Sequence, residues 1–406
     1  MISIVGGVYR ERCLHPDYYK IAGSGGRAAI AVASLECQVE LYSYLDDESE
    51  DVFGSHAFHE NFILHATKIN RSVGFQYSHG LSVPKVDKPK ISYAPITVRA
   101  ENIIRFGMIE GDAVIDSDYA VYDPQSSRAP ARFSENGSKA NHLALVLNLY
   151  EAESMCGGGS GGSPEDLAKL LEESEQAEVV VIKMGPKGAL VYSGGQSTIV
   201  PVFETESVWK IGSGDIFVAI FGHAWMEQKL NPVDAASIAS KATAYYCENG
   251  ETPRSRWLEN YDRRPLRLSQ KFLEGNRPKI YLAGPFFSLA ELWLVEETRN
   301  ILIDMGMDVF SPYHDVGRGD AAKVVGPDLE GIKNCDLVFA IGDGLDSGTI
   351  FELGYAFALD DKRRPIVLYV ESERNEDLKM MEGTGCIICD DYVTAIYKAT
   401  WIAAGL

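Results

Sequence analysis

Over the last third of the chain, short apolar runs alternate with longer amphipathic ones, and that rhythm leaves few architectures open. Strand-like runs lie at 280–283, 307–310, 337–341 and 366–370. Helix-like segments lie at 289–305, 349–359 and 392–404, with a further helix containing Leu329 and Ile332. Strands alternating with helices predict a parallel sheet covered on both faces. In such sheets ligands sit beyond the carboxyl ends of the strands, where the strand order reverses. Residues 281–287, 311–315 and 343–352 fall at those ends.

The 406 residues exceed what one hydrophobic core usually organises, so two domains are expected. From about 248 to 278 the texture becomes polar and charged, with Pro253, Pro265 and Pro278 discouraging a continuous helix or strand. This places a linker at 251–278 between domains at 1–250 and 279–406. The glycine-rich stretch Gly157-Gly158-Gly159-Ser160-Gly161-Gly162-Ser163 is flanked by apolar strand-like runs at 143–149 and 179–184, and reads as a loop inside the first domain. A formal charge of −20 argues against nucleic acid or an anionic membrane as partner, because both would repel it. No apolar run approaches the length that spans a bilayer. Seven cysteines without a secretory signal read as reduced thiols in a cytoplasm, and the nearest pair, Cys386 and Cys389, is too little for a zinc site.

Within the second domain the segment Thr349-Ile350-Phe351-Glu352-Leu353-Gly354-Tyr355-Ala356 puts a carboxylate on the first turn of a helix at the mouth of the sheet. Thr349 followed three residues later by Glu352 is also a capping-box pattern, which satisfies helix-start donors with no chemistry. The functional reading gains from Asp346 nearby and from Tyr281, which can reach across the strand ends. A glutamate near a helix N-terminus is expected to be held ionised by the helix dipole, as a carboxylate nucleophile must be. Phe286 and Phe287 could stack on a base or belong to the core. Asp328 could equally be a solvated helix position.

Together with Lys279-Ile280-Tyr281-Leu282-Ala283-Gly284-Pro285-Phe286-Phe287 and Pro327-Asp328-Leu329-Glu330-Gly331-Ile332-Lys333-Asn334-Cys335-Asp336, this segment resembles the nucleoside 2-deoxyribosyltransferase family. The resemblance implies a flavodoxin-like, doubly wound parallel sheet and cleavage of an N-glycosidic bond without a cofactor. It makes Glu352 the nucleophile, Tyr281 its orienting group and Asp328 the residue that handles the base. Asp346 would contact the sugar at its 5′ end, with Gly284, Phe286, Phe287 and Gly348 around the substrate. A carboxylate at 346 would repel a phosphate, which favours free nucleosides over nucleotides. The resemblance also implies a homo-oligomer, since family members complete the pocket with an Asn from a neighbouring subunit. This sequence has Gly383-Thr384-Gly385-Cys386-Ile387-Ile388 in that region, with no matching Asn, which leaves transfer and hydrolysis both open.

The first domain carries Gly25-Gly26-Arg27-Ala28, Tyr122-Asp123-Pro124, Asn148-Leu149-Tyr150-Glu151, Lys183-Met184-Gly185-Pro186-Lys187-Gly188 and Gly212-Ser213-Gly214-Asp215. In this order they resemble the ribokinase (PfkB-type) carbohydrate kinases, which implies a three-layer α/β fold. Residues 212–215 open a helix whose N–H groups and dipole can hold a phosphate, and Asp215 sits where a general base would take a hydroxyl proton. The resemblance implies ATP and magnesium, with Gly212, Ser213, Gly214, Asn148 and Glu151 on the phosphates and Glu151 acting on the metal indirectly; no direct metal ligand is assigned. Three departures stand out. The family's Asn after the paired glycines is Arg27, its Asp near the chain start has no counterpart within Gly6-Gly7-Val8-Tyr9-Arg10-Glu11-Arg12, and its Asp-Thr before the anion hole is Trp209-Lys210. The chain therefore reads as an N-glycosidase or deoxyribosyltransferase, acting on a nucleoside or nucleotide, fused to a kinase. The alternative makes the first domain a nucleotide or metabolite sensor that controls a nucleoside, nucleotide or NAD glycohydrolase.

Overall fold

The computed structural model describes residues 1–126, 129–158, 162–359 and 364–405. Gly159, Ser160 and Gly161 of the glycine-rich stretch lie outside the described residues. The chain divides into two compact units, one formed by Met1–Thr205 and Trp209–Pro265, the other by Glu206–Val208 and Leu266–Leu406. The stretch 251–278 includes short helices at Ser255–Asn260 and Gln270–Leu273.

Unit 1 contains strands β1 (Ile2–Val5), β2 (Arg10–His15), β3 (Tyr18–Ile21), β4 (Val39–Leu45), β5 (Ile63–Lys68), β6 (Gly74–His79), β7 (Lys85–Asp87), β8 (Ile96–Phe106), β9 (Ala113–Asp123), β10 (Lys139–Asn148), β11 (Val179–Lys183), β12 (Ala189–Ser193) and β13 (Gln196–Val200). Nine of them form one sheet in the order β13-β12-β11-β10-β9-β8-β1-β4-β5. All neighbours are parallel except at the β11-β12 and β12-β13 edges. A parallel sheet buried on both faces demands nearly continuous apolar strands, and alternate residues then serve opposite layers. On β11, Val179 and Val181 join one core cluster while Val180 and Ile182 join the other. The first cluster takes in the Gly23–Ala33, Ser213–Gly222 and Pro232–Asn249 helices, and the second the Pro164–Glu175 helix. Ile96, Val98 and Ile115, from the first halves of β8 and β9, join that second cluster beside Ile103 and Tyr122 from their second halves, so strand as well as helix contributes to this layer. Gly25 is required by a close approach: a methyl group there would lie 2.6 Å from the Gly6 backbone. A separate four-stranded sheet, β3-β2-β6-β7, carries Glu11, Phe75 and Tyr77.

Unit 2 contains β14 (Lys279–Ala283), β15 (Asp308–Phe310), β16 (Leu337–Ile341), β17 (Ile366–Tyr369) and β18 (Ile387–Cys389), all parallel, in the order β15-β14-β16-β17-β18. This is the flavodoxin-like arrangement, whose strand order reverses between β14 and β16. Tyr281, Val338, Ala340, Leu353 and Leu368 share its core. The Asn375–Gly383 helix and the short β18 have no clear periodic signal in the sequence, whereas the Leu289–Asp304, Ala321–Lys333, Ser347–Ala358 and Tyr392–Gly405 helices follow the expected pattern. Among the described residues no helix is long and apolar enough to cross a membrane.

Candidate active sites

In unit 2, β14 brings Tyr281 to the reversal point with its ring fully buried and stacked on Phe310 at 5.6 Å. Its hydroxyl donates to Glu352 Oε1 at 2.7 Å. The capping-box reading of Thr349 and Glu352 does not hold. The helix begins at Ser347 with Asp346 as N-cap, and the Asp346 carboxylate accepts from the Thr349 N–H at 2.8 Å and the Thr349 hydroxyl at 3.0 Å. Glu352 therefore lies beyond the first turn, where no helix-start donor reaches it, and its side chain is left for the strand ends. The expectation that the dipole holds it ionised is also corrected. Burial pushes Glu352 up to about 7, helped by the Asp328 and Asp346 carboxylates and opposed by the Tyr281 hydrogen bond.

Asp328 follows Pro327 in the interior of the Ala321–Lys333 helix. Its Oδ1 is buried without a hydrogen-bond partner among the described residues, and burial raises its carboxyl above the ordinary range. Burial and the Glu352 charge together push the Tyr281 phenol far up, so it remains a donor. Phe286 is partly buried between Phe287 at 5.2 Å and Tyr313 at 5.4 Å. Phe287 is 71% exposed, which removes the core reading for that ring. Gly284 lies where a methyl would be 3.1 Å from Ile341 Cβ, and Gly348 where one would be 3.1 Å from Asp346 Oδ2. Tyr313 was not singled out in the sequence, although it falls in the strand-end segment 311–315.

In unit 1 a cavity of about 410 Å³ collects the predicted residues Asn148, Glu151, Gly212, Gly214 and Asp215. Gly212 takes a left-handed conformation (φ +82°) as N-cap of the Ser213–Gly222 helix, which a side chain would strain. Ser213 Oγ accepts from Lys210 Nζ at 2.7 Å, and burial lowers the Lys210 pKa. Asn148 and Glu151 form a reciprocal capping box at the start of the Leu149–Met155 helix, with bonds of 2.9 and 2.8 Å. Burial and the Asp123 charge raise Glu151 to about 7. Asp123 itself is paired with Lys183 at 2.7 Å.

Two residues dominate the other half of this cavity: Glu11, which the sequence did not single out, and Arg27, noted there only as a departure from the family pattern. Glu11 projects from β2 and meets Arg27 at 2.5 Å, which puts a buried acid, though not an Asp, near the chain start. Arg27 also holds Asp215 Oδ2 at 2.5 Å, while Gln125 Nε2 donates to Asp215 Oδ1 at 2.7 Å. Both oxygens of the expected base are thereby engaged. The available signal was the inward position of an acid on alternating β2 together with an arginine in place of the family's Asn. No three His, Cys, Asp or Glu side chains converge to hold a metal among the described residues.

A large parallel-dominated sheet with helices, followed by a five-stranded parallel sheet carrying a Tyr-Glu-Asp cluster at its reversal point, defines a two-domain α/β protein. Residues 118–256 match the model of the pfkB family carbohydrate kinases, and residues 280–388 match that of the nucleoside 2-deoxyribosyltransferases. Both families are enzymes, one of kinases and one of transferases. Among solved structures, the ribokinase of Giardia lamblia is 14% identical with a TM-score of 0.50, covering 64% of this chain and 97% of that one. The nucleoside kinase of Methanocaldococcus jannaschii is 12% identical with a TM-score of 0.49, at the same coverages. The Thermotoga maritima ribokinase is 15% identical with a TM-score of 0.46, covering 64% and 98%. At these identities the likeness concerns the fold alone. No curated protein matches the chain.

Proposed function

We propose that unit 2 cleaves the N-glycosidic bond of a nucleoside, with Glu352 as nucleophile. The observation that carries this reading is the 2.7 Å hydrogen bond from a fully buried Tyr281 to a carboxylate whose other oxygen has no partner among the described residues. N-glycosidic cleavage passes through an oxocarbenium-like state and needs an anion beneath the anomeric carbon. Glu352 Oε attacks that carbon, the C–N electron pair leaves with the base, and the base takes a proton from Asp328, whose raised carboxyl suits it to donate. The glycosyl ester on Glu352 then yields to water or to a second base, which restores both carboxyl groups. Phe286, Phe287 and Tyr313 offer faces for a base, and Gly284 and Gly348 keep the approach free of side chains. Asp346 lends the site a negative charge, which favours free nucleosides over 5′-monophosphates.

For unit 1, the Arg27 contact with Asp215 favours a nucleotide or phosphorylated-metabolite sensor over a working kinase, because a base held by a guanidinium is poorly placed to take a hydroxyl proton. ATP would be held by the helix start at Gly212 to Gly214. With Glu151 committed to its capping box, magnesium would be held mainly by phosphate oxygens and act with Glu151 only indirectly. Further chains of the same protein would complete the unit 2 pocket, and a cytoplasmic setting suits both substrates.

The test is incubation of the full chain with nucleosides, nucleotides and NAD, with and without ATP, read by mass. Free base from a nucleoside, with no phosphorylated sugar, is the expected result. Intact substrates throughout the panel would sink the glycosidase reading, and ATP-dependent phosphorylation would restore the kinase.

A further inference from the structure

The acceptor half of the unit 1 cavity is filled by charge of the chain's own making. Arg27 is 5% exposed and bridges Glu11, itself 5% exposed, to Asp215. Its guanidinium lies against the start of the Ser213–Gly222 helix: a methyl on Gly212 would be 2.1 Å from Arg27 Nε. A neutral hydroxyl-bearing acceptor has little to gain here, since the two carboxylates that would receive its hydrogen bonds are already on Arg27. An oxyanion has a different prospect. It would meet a forked donor, the positive end of a helix dipole beginning at Gly212 and the Lys183 ammonium group within one cavity. A second, independent observation points the same way. The Ser24 hydroxyl lines this cavity, is 4% exposed, and has no hydrogen-bond partner among the described residues. Buried hydroxyls are ordinarily paired, so this one lacks a group that belongs beside it.

We propose that unit 1 takes an already phosphorylated metabolite, and that Arg27 recognises it by exchanging the Asp215 carboxylate for a phosphate oxygen while Ser24 donates to the same group. No covalent step is involved. The exchange rests on the non-transferring reading of unit 1 and adds to it the subsite and the residues that read the phosphate. It also accounts for the departure at position 27: where a neutral side chain would grip a sugar, a guanidinium grips an anion and closes the subsite when none is bound.

Calorimetry on the full chain with inorganic pyrophosphate, ADP and ribose 5-phosphate tests this, the three probes separating a phosphate anhydride, a nucleotide and a sugar phosphate. At least one should bind the wild type. Arg27→Gln should weaken that binding at least ten-fold, Arg27→Lys should retain part of it, and Ser24→Ala should weaken it by a smaller factor. Arg27→Gln leaves Glu11 buried without its partner, so Asp215→Asn supplies a second route. Freed from competition for Arg27, it should bind several-fold tighter, and by more than Glu151→Gln, which removes a charge from the same cavity but not from Arg27. Binding unchanged in Arg27→Gln, equal gains in Asp215→Asn and Glu151→Gln, or no binding of any probe would each overturn the proposal. The last would leave the non-transferring reading standing. Phosphoryl transfer from ATP by the wild type would overturn both.

Discussion

Glu352 in unit 2 and Asp215 in unit 1 both lie near the start of a helix that follows a sheet strand, and both stand where a carboxylate would act in the family each unit resembles. Their surroundings differ. Glu352 receives one hydrogen bond, from Tyr281, and no cation pairs with it among the described residues. Asp215 receives one bond on each oxygen, from Arg27 and Gln125. The first carboxylate is partly buried, its second oxygen has no partner among the described residues, and burial raises it to about 7. The second is bound on both sides. A motif that places an acid at the right point of a fold thus says little about its reactivity, which depends on whether the acid's lone pairs are already taken.

The largest effect is expected at Glu352. Glu352→Ala should lower base release by about a thousand-fold or more, as loss of a nucleophile does, with the far-UV spectrum unchanged. Near wild-type turnover would end the asymmetry between the two sites.

Tyr281→Phe should follow with a loss of roughly 10- to 100-fold, the equivalent of a hydrogen bond to a charged group worth about 1.5–3 kcal/mol. It should also move the pH profile. Glu352 must be ionised to attack, so wild-type kcat/KM should climb through pH about 7. The Tyr281 bond lowers the Glu352 pKa, so its removal should shift that limb upward and leave the loss smallest at high pH. A uniform loss at every pH would show that Tyr281 acts only through packing.

Glu352→Gln sharpens the same point through stability. A carboxyl whose folded pKa is raised stabilises the fold while protonated, and that contribution is lost as pH rises through about 7. At pH 8 the Gln variant should therefore melt above the wild type, and the difference should close as pH falls below the unfolded carboxyl's 4.5. A variant less stable at pH 8 would contradict the burial on which the comparison depends.

Smaller effects are expected at Asp346. Removing the N-cap in Asp346→Ala should cost about 1 kcal/mol in denaturant titration. Asp346→Ser retains a capping oxygen, so it should spare stability while shifting preference toward 5′-monophosphates. Unchanged discrimination would confine Asp346 to capping. The smallest effect belongs to Asp215→Asn, which should leave base release within about two-fold of wild type, since an acid already paired at a separate cavity takes no part in it. A larger change would show that unit 1 biases unit 2, a coupling that must then appear reciprocally in ligand affinity.

Much of unit 2 was legible from residue order. The 279–341 and 347–370 rhythm became β14, β16, β17 and their helices, because continuous apolar runs such as Leu337–Ile341 have no stable place except a sheet covered on both faces. Tyr281, Asp346 and Glu352 could be placed near the strand ends from residue order, whereas Asp328, inside the Ala321–Lys333 helix, was named only through the family resemblance. The identity of the helix cap was not legible: Asp346 and Thr349 both suit the position, and the backbone selects Asp346. Unit 1 was legible as an ordered set of glycine and acid motifs. The Glu11–Arg27–Asp215 contact was not, since its members are far apart in the chain and nothing local to any one of them specifies the other two.

By itself the sequence determined that this protein has two α/β units, that the second presents carboxylates at the mouth of a parallel sheet, and that Arg27 replaces a neutral side chain in the first. The sheet of the second unit and its carboxylates follow from periodicity and local chemistry, which act over a few residues, whereas the fold of the first unit and its departure at Arg27 were read from the resemblance of its motifs. Which carboxylate oxygens keep no partner among the described residues was settled on folding. Among the described residues the fold left Glu352 with a single donor and one oxygen of Asp328 unpaired, and it closed Arg27 onto Glu11 and Asp215. Charge state and hydrogen-bond occupancy depend on burial and on partners from distant segments, and those are set when the chain is folded.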